Sequence, residues 1–310
     1  MKLLWIVGIL TLLQPAQMPE QTNDRLSIGL GDQAPVIVNR TEYSLPGMSI
    51  IDLDKLDQIM DEIDKKISRE PRNAYIGENG QMMSEQPGQK LERTKFAEQF
   101  YAYYYGNGPA AFDAPLRPIY PKVDRELLAH IRTKVISQYV TYFNPRNKNR
   151  SHNIGLAAKA INSHVVFPGE TFSFNRVVGI RTRDRGYLQA GVIVRGELSE
   201  GIGGGICQVS STLFNAIDRA GLKIKERYSH SRNVPYVRPG RDATVSWGGP
   251  DFTFQNQYNQ PILIRANAAY GKMFVSVYSS DVIEYKPREV PGMTRKPIPE
   301  EKSVSETGSR

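Results

Sequence analysis

A glycine-rich turn that runs straight into an amphipathic helical repeat leaves one part of this chain with few folding choices. Four glycines fall between positions 201 and 205, and glycine adopts the dihedral angles of tight turns at little steric cost. Apolar residues then recur at helical spacing, namely Val209, Leu213, Ala216, Ile217 and Ala220. Gly221 occupies the position of a left-handed C-terminal cap. We therefore predict a helix that begins at or near Cys207 and ends before Gly221.

Cys207 is the single cysteine of the chain and lies where the turn becomes the helix. Unpaired backbone amides and the positive end of the helix dipole favour thiolate over thiol at such a point. A thiol with an ordinary pKa of roughly 8.5 becomes a nucleophile at neutral pH when its surroundings lower that pKa. Two other interpretations stay open. In the first, the cysteine is a small buried apolar side chain. In the second, the loop binds phosphate, although the loop lacks the Gly-Lys-Ser/Thr sequence that holds a nucleotide.

The whole chain indicates a globular protein with a basic surface. Its 310 residues, with 40% hydrophobic content, suffice for one large or two modest domains. A formal net charge of +8 favours a polyanionic neighbourhood, such as an anionic wall polymer, anionic lipid or nucleic acid. One cysteine excludes an intramolecular disulfide framework, and four scattered histidines give no metal-ligand spacing. We expect neither a metal nor another cofactor.

The first residues have the anatomy of a secretory signal, because Lys2 precedes about eleven mostly apolar positions. This stretch is too short to span a bilayer comfortably. We predict that residues 1–18 are a signal peptide or a membrane tether, with a buried terminal strand as the alternative. The protein is then extracytoplasmic, secreted or attached to the cell envelope. No nucleic-acid partner is expected there, and an unpaired cysteine in an exported chain suggests a thiol kept for its reactivity.

Residues 19–49 are mostly polar, with one apolar patch at Pro35–Val38, and are predicted to be a linker or an edge strand, followed by a small helix-and-strand module over residues 50–122. A helix from Asp52 is indicated by apolar residues at helical spacing, namely Leu56, Ile59, Met60, Ile63 and Ile67. A second helix follows Thr94. Between the helices, a turn at residues 78–81 predicts a short hairpin.

Residues 123–284 are predicted to form an α+β domain with a largely antiparallel sheet. Two helices come first, one over Val123–Phe143 and one that Ser151 caps at its N-terminus. Strand-like segments begin at Thr171, Gly191, Leu222, Asp242, Phe252, Ile262 and Met273. Helices followed by a run of strands favour α+β over repeating βαβ units. The charged, proline-rich residues 285–310 are predicted to be a disordered tail.

A catalytic thiol needs an imidazole within hydrogen-bond reach and a third group that orients the imidazole. His230 is our candidate, because it follows the strand directly after the cysteine helix, and antiparallel packing of the two returns it toward Cys207. Asp242 is the candidate orienting group, with Asn256 and Asp251 as alternatives. Papain-like and transglutaminase-like thiol enzymes have the same chain order. A turn histidine satisfied by neighbouring serines and an ordinary strand-end carboxylate are the other interpretations.

Three further residues are candidates for binding the substrate or its oxyanion. Gln208 has a backbone amide beside the thiol and a side-chain amide nearby, and Gly205 lies in the turn. Arg227 is close to His230 in sequence and is a candidate clamp for a substrate carboxylate. Solvation at the surface is the alternative for this arginine.

Several long motifs occur in a fixed order along the second half of the chain. They are Phe172-Ser-Phe-Asn-Arg-Val-Val-Gly, Gly203-Gly-Gly-Ile-Cys-Gln-Val-Ser-Ser-Thr-Leu-Phe-Asn-Ala, Arg227-Tyr-Ser-His-Ser, Tyr236, and Pro239-Gly-Arg-Asp-Ala-Thr-Val. Together they resemble the VanW family of bacterial proteins, which takes its name from a glycopeptide-resistance gene cluster. The resemblance runs from about His152 to Ala266. Residues 53–121 are more loosely similar to the peptidoglycan-binding module that often precedes this domain in exported proteins of the Bacillus type.

The VanW resemblance implies work in the cell envelope. VanW domains are linked to L,D-transpeptidase activity through their cysteine, which makes Cys207 the nucleophile acylated by a peptidoglycan stem peptide. The familiar L,D-transpeptidase motif, with an upstream histidine and a Ser-x-Gly-Cys-x-Arg run, is absent from this chain. A noncatalytic wall-binding or accessory protein of glycopeptide-resistance type therefore stays the alternative. We expect stem peptides and anionic wall polymers as partners.

Overall fold

The computed structural model describes residues 24–194 and 197–293. The predicted leader at residues 1–18 and residues 294–310 of the predicted tail lie outside these ranges. Helices and mostly antiparallel sheets share the described chain, which confirms the α+β class. No helix in these two ranges combines the length and the apolarity needed to cross a membrane.

The described helices and strands alternate irregularly along the chain. The α-helices are α1 (Leu53–Ile67), α2 (Arg93–Tyr105), α3 (Arg125–Ile131), α4 (Lys148–Ile161), α5 (Phe174–Val178) and α6 (Ile206–Arg219). The strands are β1 (Arg25–Leu30), β2 (Gln33–Asn39), β3 (Tyr75–Ile76), β4 (Met82–Met83), β5 (Gly88–Leu91), β6 (Ala110–Asp113), β7 (Leu116–Ile119), β8 (Lys134–Tyr142), β9 (His164–Val166), β10 (Thr171–Ser173), β11 (Gln189–Val194), β12 (Glu197–Ile202), β13 (Lys223–Glu226), β14 (Thr253–Gln255), β15 (Ile262–Ala269) and β16 (Lys272–Ser279).

The chain divides into two compact units, and the first comprises the described residues up to Pro71 together with Pro87–Tyr120. Its main sheet has the order β2-β1-β6, in which β1 is antiparallel to β2 and parallel to β6. Helices α1 and α2 bury their apolar faces in this unit's core. Asp52 caps α1, because its carboxylate accepts hydrogen bonds from the first backbone amides of the helix.

The predicted linker at residues 19–49 contains a hairpin, β1–β2, within its described part. Leu26, Ile28 and Val38 from this hairpin are buried in the core of the first unit. The polar composition hid this structure because alternate residues face solvent and most of these are polar, although Ile37 is apolar and exposed.

The second unit comprises Arg72–Gln86 and the residues from Pro121 onward, and it contains Cys207. Its central sheet has four antiparallel strands in the order β8-β16-β15-β9, and a smaller antiparallel sheet has the order β10-β14-β13. Helix α6 packs on β8 and β16, while α4 packs on β15 and on α6. Their apolar side chains form one core, in which Val209 and Leu213 of α6 are fully buried.

The short hairpin predicted near residues 78–81 forms as β3–β4, but it belongs to the second unit. Ala74 and Ile76 pack there with Val123 and Leu128. The predicted module at residues 50–122 therefore differs from the first unit, which lacks this hairpin.

Helix α6 ends as the glycine position predicts. Gly221 has a φ of +79°, and its amide donates to the Asp218 carbonyl at 2.9 Å. The Leu222 amide donates to the Ile217 carbonyl at 3.2 Å. These two hydrogen bonds form a Schellman cap, which satisfies carbonyls that the helix leaves open.

The predicted helix over Val123–Phe143 is wrong beyond Ile131, because β8 replaces its second half. Val135, Tyr139 and Val140 fit helical spacing, but branched and aromatic side chains also suit a strand, and β16 supplies a pairing partner. Helix α4 begins at Lys148 with Asn147 as its cap, ahead of the predicted cap Ser151.

The first part of the predicted disordered tail, residues 285–293, packs on the second unit. Val290 is buried, and Arg288 pairs with Asp218 of α6 at 2.7 Å. The Tyr139 hydroxyl donates to the Pro291 carbonyl at 3.1 Å. A few specific contacts order this segment although its composition is typical of a disordered one.

Replacing Gly221 by alanine is expected to destabilise the protein more than the same change at Gly169. Both glycines have φ near +80°, at +79° and +80°, so each loses about 1–2 kcal/mol from the left-handed backbone. Nothing lies within 4 Å of a Cβ built on Gly169, whereas one on Gly221 overlaps the Lys286 carbonyl oxygen. The overlap adds about 1–3 kcal/mol. Urea unfolding of both variants measures the difference, and equal losses would contradict this packing.

Candidate functional site

The turn ahead of α6 depends on its glycines. Gly203 and Gly205 have φ of +86° and +108°, a range that favours glycine. Gly204 has no room for a side chain, since an added Cβ would lie 2.6 Å from the Ala190 carbonyl oxygen of β11. The Asn153 side chain of α4 donates to the Gly204 carbonyl at 3.0 Å. These contacts fix the point at which Cys207 enters the helix.

Polar side chains on one face of α6 hold the segment Arg241–Val245 alongside the helix. The Ser211 hydroxyl accepts from the Ala243 amide at 2.9 Å, and the Asn215 side chain donates to the Arg241 carbonyl at 2.8 Å. Asp218 pairs with the Arg241 guanidinium at 2.7 Å. Positions 211, 215 and 218 have helical spacing, so a single face of the helix makes all these contacts.

The strand predicted from Asp242 does not form. Within the described residues, the β-pairing of this segment consists of an isolated bridge between Thr244 and Tyr228. The segment is extended because α6 binds its backbone, and this attachment brings Asp242, Thr244 and Val245 to the start of the helix.

The three predicted catalytic residues meet at this place. The His230 Nδ1 lies 2.6 Å from the Asp242 Oδ2, and the His230 backbone amide donates to the same oxygen at 2.6 Å. Since Nδ1 is engaged by the carboxylate, Nε2 is the ring nitrogen left for the hydrogen bond between His230 and Cys207. The His230 and Asp242 side chains are 6% and 8% exposed, and the residue Cys207 is half-buried. An oriented imidazole beside an accessible thiol is what nucleophilic catalysis requires.

The pKa values of these three groups shift in directions that favour an ion pair. Burial opposes ionisation of Cys207, but the hydrogen bond from His230 and further polar contacts outweigh burial and lower the thiol pKa. Burial also opposes the imidazolium, yet hydrogen bonds with Asp242 and Cys207 raise the pKa of His230 to about 9. For Asp242, burial is outweighed by the hydrogen bonds from His230, and its pKa is lowered. Compared with the free side chains, these shifts favour the thiolate, the imidazolium and the carboxylate.

Gln208 is engaged inside the protein, which differs from its predicted role as an oxyanion donor. Its buried side chain accepts from the Arg150 guanidinium at 2.9 Å and donates to the Thr141 hydroxyl and the Tyr142 carbonyl, both at 3.0 Å. Its backbone amide donates to the Gly205 carbonyl at 3.0 Å. Gln208 and Gly205 therefore fix the start of the helix.

Arg227 also lies in the site, but its guanidinium contacts the protein. Nη1 donates to the carbonyl oxygens of Gly240 and Asp242 at 3.1 and 2.7 Å, and the guanidinium carbon lies 4.9 Å from the centroid of the Phe214 ring. These contacts position the backbone of Asp242. Arg227 therefore supports the orienting residue, and its role as a carboxylate clamp stays a prediction.

The two alternative orienting residues are engaged elsewhere. The Asn256 side chain donates to the Val166 and Gln260 carbonyls, each at 2.9 Å. Asp251 accepts from the Ser173 hydroxyl at 2.6 Å. Neither bonds the imidazole, so Asp242 is the group that orients His230.

Sequence reasoning missed the residues that line the thiol. The Cys207 Sγ lies 3.7 Å from the Thr244 hydroxyl and 3.6 Å from the Val245 carbonyl oxygen. Arg181 is close enough for its charge to interact with that of Cys207. Arg181 lies in an irregular segment without hydrophobic periodicity. The one sequence signal for it was its position shortly after the motif that starts at Phe172.

Comparisons with known proteins identify a family model and relatives that match this chain. The family model described as VanW like protein matches residues 149–278. The chain is 57% identical over 288 residues to the Uncharacterized protein YoaR of Bacillus subtilis (strain 168), an alignment that covers 92% of this chain and 94% of that relative. It is 36% identical over 115 residues to the Vancomycin B-type resistance protein VanW of Enterococcus faecalis (strain ATCC 700802 / V583), covering 35% of this chain and 42% of that protein. No solved structure matches the chain significantly.

The reactivity of Cys207 is expected to depend on His230. Because its pKa is lowered, the thiolate persists below the pH at which a free thiol titrates, and it is lost as pH falls through that pKa. In His230→Ala the thiol loses its hydrogen bond with His230, so burial dominates and the pKa of Cys207 rises. Because each pKa unit lowers the thiolate fraction about tenfold, alkylation by iodoacetamide at pH 7 is expected to slow by about tenfold or more. Alkylation rates between pH 5 and 10 measure this.

His130→Ala is the matched control, since His130 is an exposed histidine of α3. If wild type and His230→Ala show the same pH profile, the imidazole does not control the thiol.

Proposed function

The chain belongs to the VanW-like family, and from that membership we propose that it is a cysteine-dependent acyltransferase acting on peptidoglycan stem peptides outside the cytoplasm. One observation carries the reaction type: a partly exposed thiol with a lowered pKa lies beside an imidazole that a buried carboxylate orients. Nucleophile, base and orienting group are the parts that acyl transfer through a thioester requires.

In the first half of the proposed reaction, the Cys207 thiolate attacks the carbonyl carbon of a peptide bond. The charge that develops on the oxygen needs a donor at the helix start. Ile206 and Gln208 direct their backbone amides to Gly203 and Gly205, so we assign this role to the backbone amide of Cys207 itself. The C–N bond then breaks, the departing amine takes the proton of the His230 imidazolium, and a thioester remains on Cys207.

In the second half, the amine of another stem peptide attacks the thioester. Neutral His230 accepts the proton of this amine, the C–S bond breaks, and the thiolate and imidazolium are restored. Water in place of the amine gives hydrolysis. Asp242 holds Nδ1 throughout, so that Nε2 keeps facing the reacting atoms.

The substrate class follows from family and charge together. The Enterococcus relative is named for vancomycin resistance, which links the family to the cell envelope. The predicted leader at residues 1–18 would deliver the protein there, and a net charge of +8 would hold it near anionic wall polymers. The thiol and its partners support an enzyme over a noncatalytic accessory protein, because a packed structural cysteine needs neither exposure nor an imidazole.

Stem tetrapeptide is expected to form a covalent adduct on Cys207. Intact mass spectrometry would detect the acyl group after loss of the terminal residue, and adding an amine acceptor would discharge it. Cys207→Ser is the matched variant, since it keeps the size of the side chain and removes the thiol. Absence of any adduct, with unchanged retention of both proteins on cell-wall sacculi, would point to the wall-binding alternative.

Asp242→Asn is expected to slow acylation about 10²–10⁴-fold, because an amide can donate to Nδ1 and so favour the wrong tautomer, in which Nε2 already carries the proton and cannot accept one from the thiol. The time course of adduct formation under single-turnover conditions measures this. Asp184→Asn is the control, as Asp184 is an exposed carboxylate of the same unit. A wild-type rate in Asp242→Asn would remove Asp242 from the mechanism.

A further inference from the structure

Arg181 packs on the glycine turn that leads to the reactive thiol. Its alkyl chain packs on Gly203, where an added Cβ would lie 3.1 Å from the Arg181 Cβ and 3.4 Å from its Cγ. Cys207 follows this turn in the first turn of α6. The arginine therefore lies against the same backbone that delivers the thiol.

A second, independent path connects Arg181 to the thiol through the segment that follows Asp242. The Val245 carbonyl oxygen lies 3.6 Å from the Cys207 Sγ, and the next carbonyl, that of Ser246, accepts from the Asn175 side chain at 2.9 Å. The side-chain oxygen of Asn175 in turn accepts from the Arg181 Nη2 at 2.7 Å. Asn175 thus fixes the guanidinium next to the walls of the thiol site.

The other end of this guanidinium has no protein partner. Nη1 of Arg181 is buried and makes no hydrogen bond within residues 24–194 and 197–293. The guanidinium carbon lies 5.8 Å from the centroid of the Phe174 ring, so one wall around it is aromatic. A buried charged donor without an acceptor destabilises a fold, and such a group calls for a ligand as its explanation.

Asp251, whose charge acts on Arg181, does not supply that acceptor. Asp251 accepts from the Ser173 hydroxyl at 2.6 Å and from the backbone amides of Asn175 and Phe252 at 2.9 and 2.7 Å. These neutral donors occupy both of its oxygens. The positive charge of Arg181 is therefore left to act on whatever binds beside Cys207.

We propose that Arg181 binds the carboxylate of the residue that departs when Cys207 attacks the peptide, an inference that rests on the proposed function. A guanidinium with a free N–H prefers a carboxylate, which it holds by charge-assisted hydrogen bonds. Neighbouring Cα atoms in a peptide are about 3.8 Å apart. When the scissile carbonyl contacts the thiol, the carboxylate of the following residue therefore lies within the length of one side chain from the Cys207 Sγ. The enzyme then selects donors whose scissile bond precedes a terminal residue with a free carboxylate.

The first test compares two small reagents and needs no peptide. The Cys207 thiolate displaces iodide from both iodoacetate and iodoacetamide, but only iodoacetate carries a carboxylate for Arg181. The ratio of the two alkylation rates is expected to fall about tenfold in Arg181→Gln, the usual effect of losing one charge-assisted hydrogen bond. A change in the thiol pKa alters both rates alike and leaves the ratio unchanged.

Arg185→Gln is the matched control, because Arg185 is an exposed arginine in the same loop. It is expected to keep the wild-type ratio. Arg181→Lys keeps the charge and is expected to fall between wild type and Arg181→Gln. A ratio unaffected by the change at Arg181 would overturn the proposal.

The second test uses the wild-type protein, so it does not depend on how well a variant folds. Stem tetrapeptide with a free terminal carboxylate is expected to acylate Cys207 at least tenfold faster than the same peptide with a terminal amide. Equal rates would overturn the assignment of the departing carboxylate. No acylation by either peptide, together with the expected alkylation ratios, would refute the acyltransferase function while leaving the anion site at Arg181 supported.

Discussion

The attachment of the segment Arg241–Val245 to one face of α6 is the interaction on which the rest of the site depends. Ser211 and Asn215 satisfy backbone groups of this segment that a sheet partner would otherwise satisfy. Because the helix holds the chain by its backbone, Asp242 is carried to His230 and the Val245 carbonyl is carried to the thiol. The glycine turn then has to deliver Cys207 to the same point, which explains why side chains are excluded at Gly204 and why Gly205 is left-handed.

The parts of the fold that the sequence predicted are those in which local pattern and tertiary packing agree. Helix α6 combines an apolar face with a glycine cap, and both signals describe one element. Strand β8 is the opposite case. Its residues fit the period of a helix and that of a strand. Pairing with β16 decides in favour of the strand, and β16 lies more than a hundred residues away, outside any local sequence window.

The same distinction separates the predicted site residues that the fold brings together from those whose side chains it engages elsewhere. His230 and Asp242 could be predicted because the chemistry of a thiol requires a base and an orienting group, and few candidates were available. Gln208 follows the thiol in sequence and Arg227 lies near His230, but their functional groups are engaged by Tyr142 and Gly240, which only the folded chain brings near. Arg181 illustrates the converse: no motif predicted it, yet its stem packs on Gly203, in the turn that leads to Cys207.

The energetics of the buried Cys207–His230–Asp242 set argue that chemistry, not stability, explains its place in the fold. Burial opposes the charged form of each of the three groups, and their mutual hydrogen bonds reverse that effect. Buried ion pairs are weak sources of stability, because apolar residues of similar volume fill the same space without the loss of hydration. Asp218 forms salt bridges with Arg241 and Arg288, whose side chains are more exposed than those of His230 and Asp242. These salt bridges stabilise the end of α6. By contrast, the proposed catalytic set keeps Cys207 only half-buried, and the unsatisfied Arg181 packs on the turn that leads to it. A group of charges that is costly to bury, with a nucleophile held beside an oriented imidazole, is what the proposed acyl transfer needs.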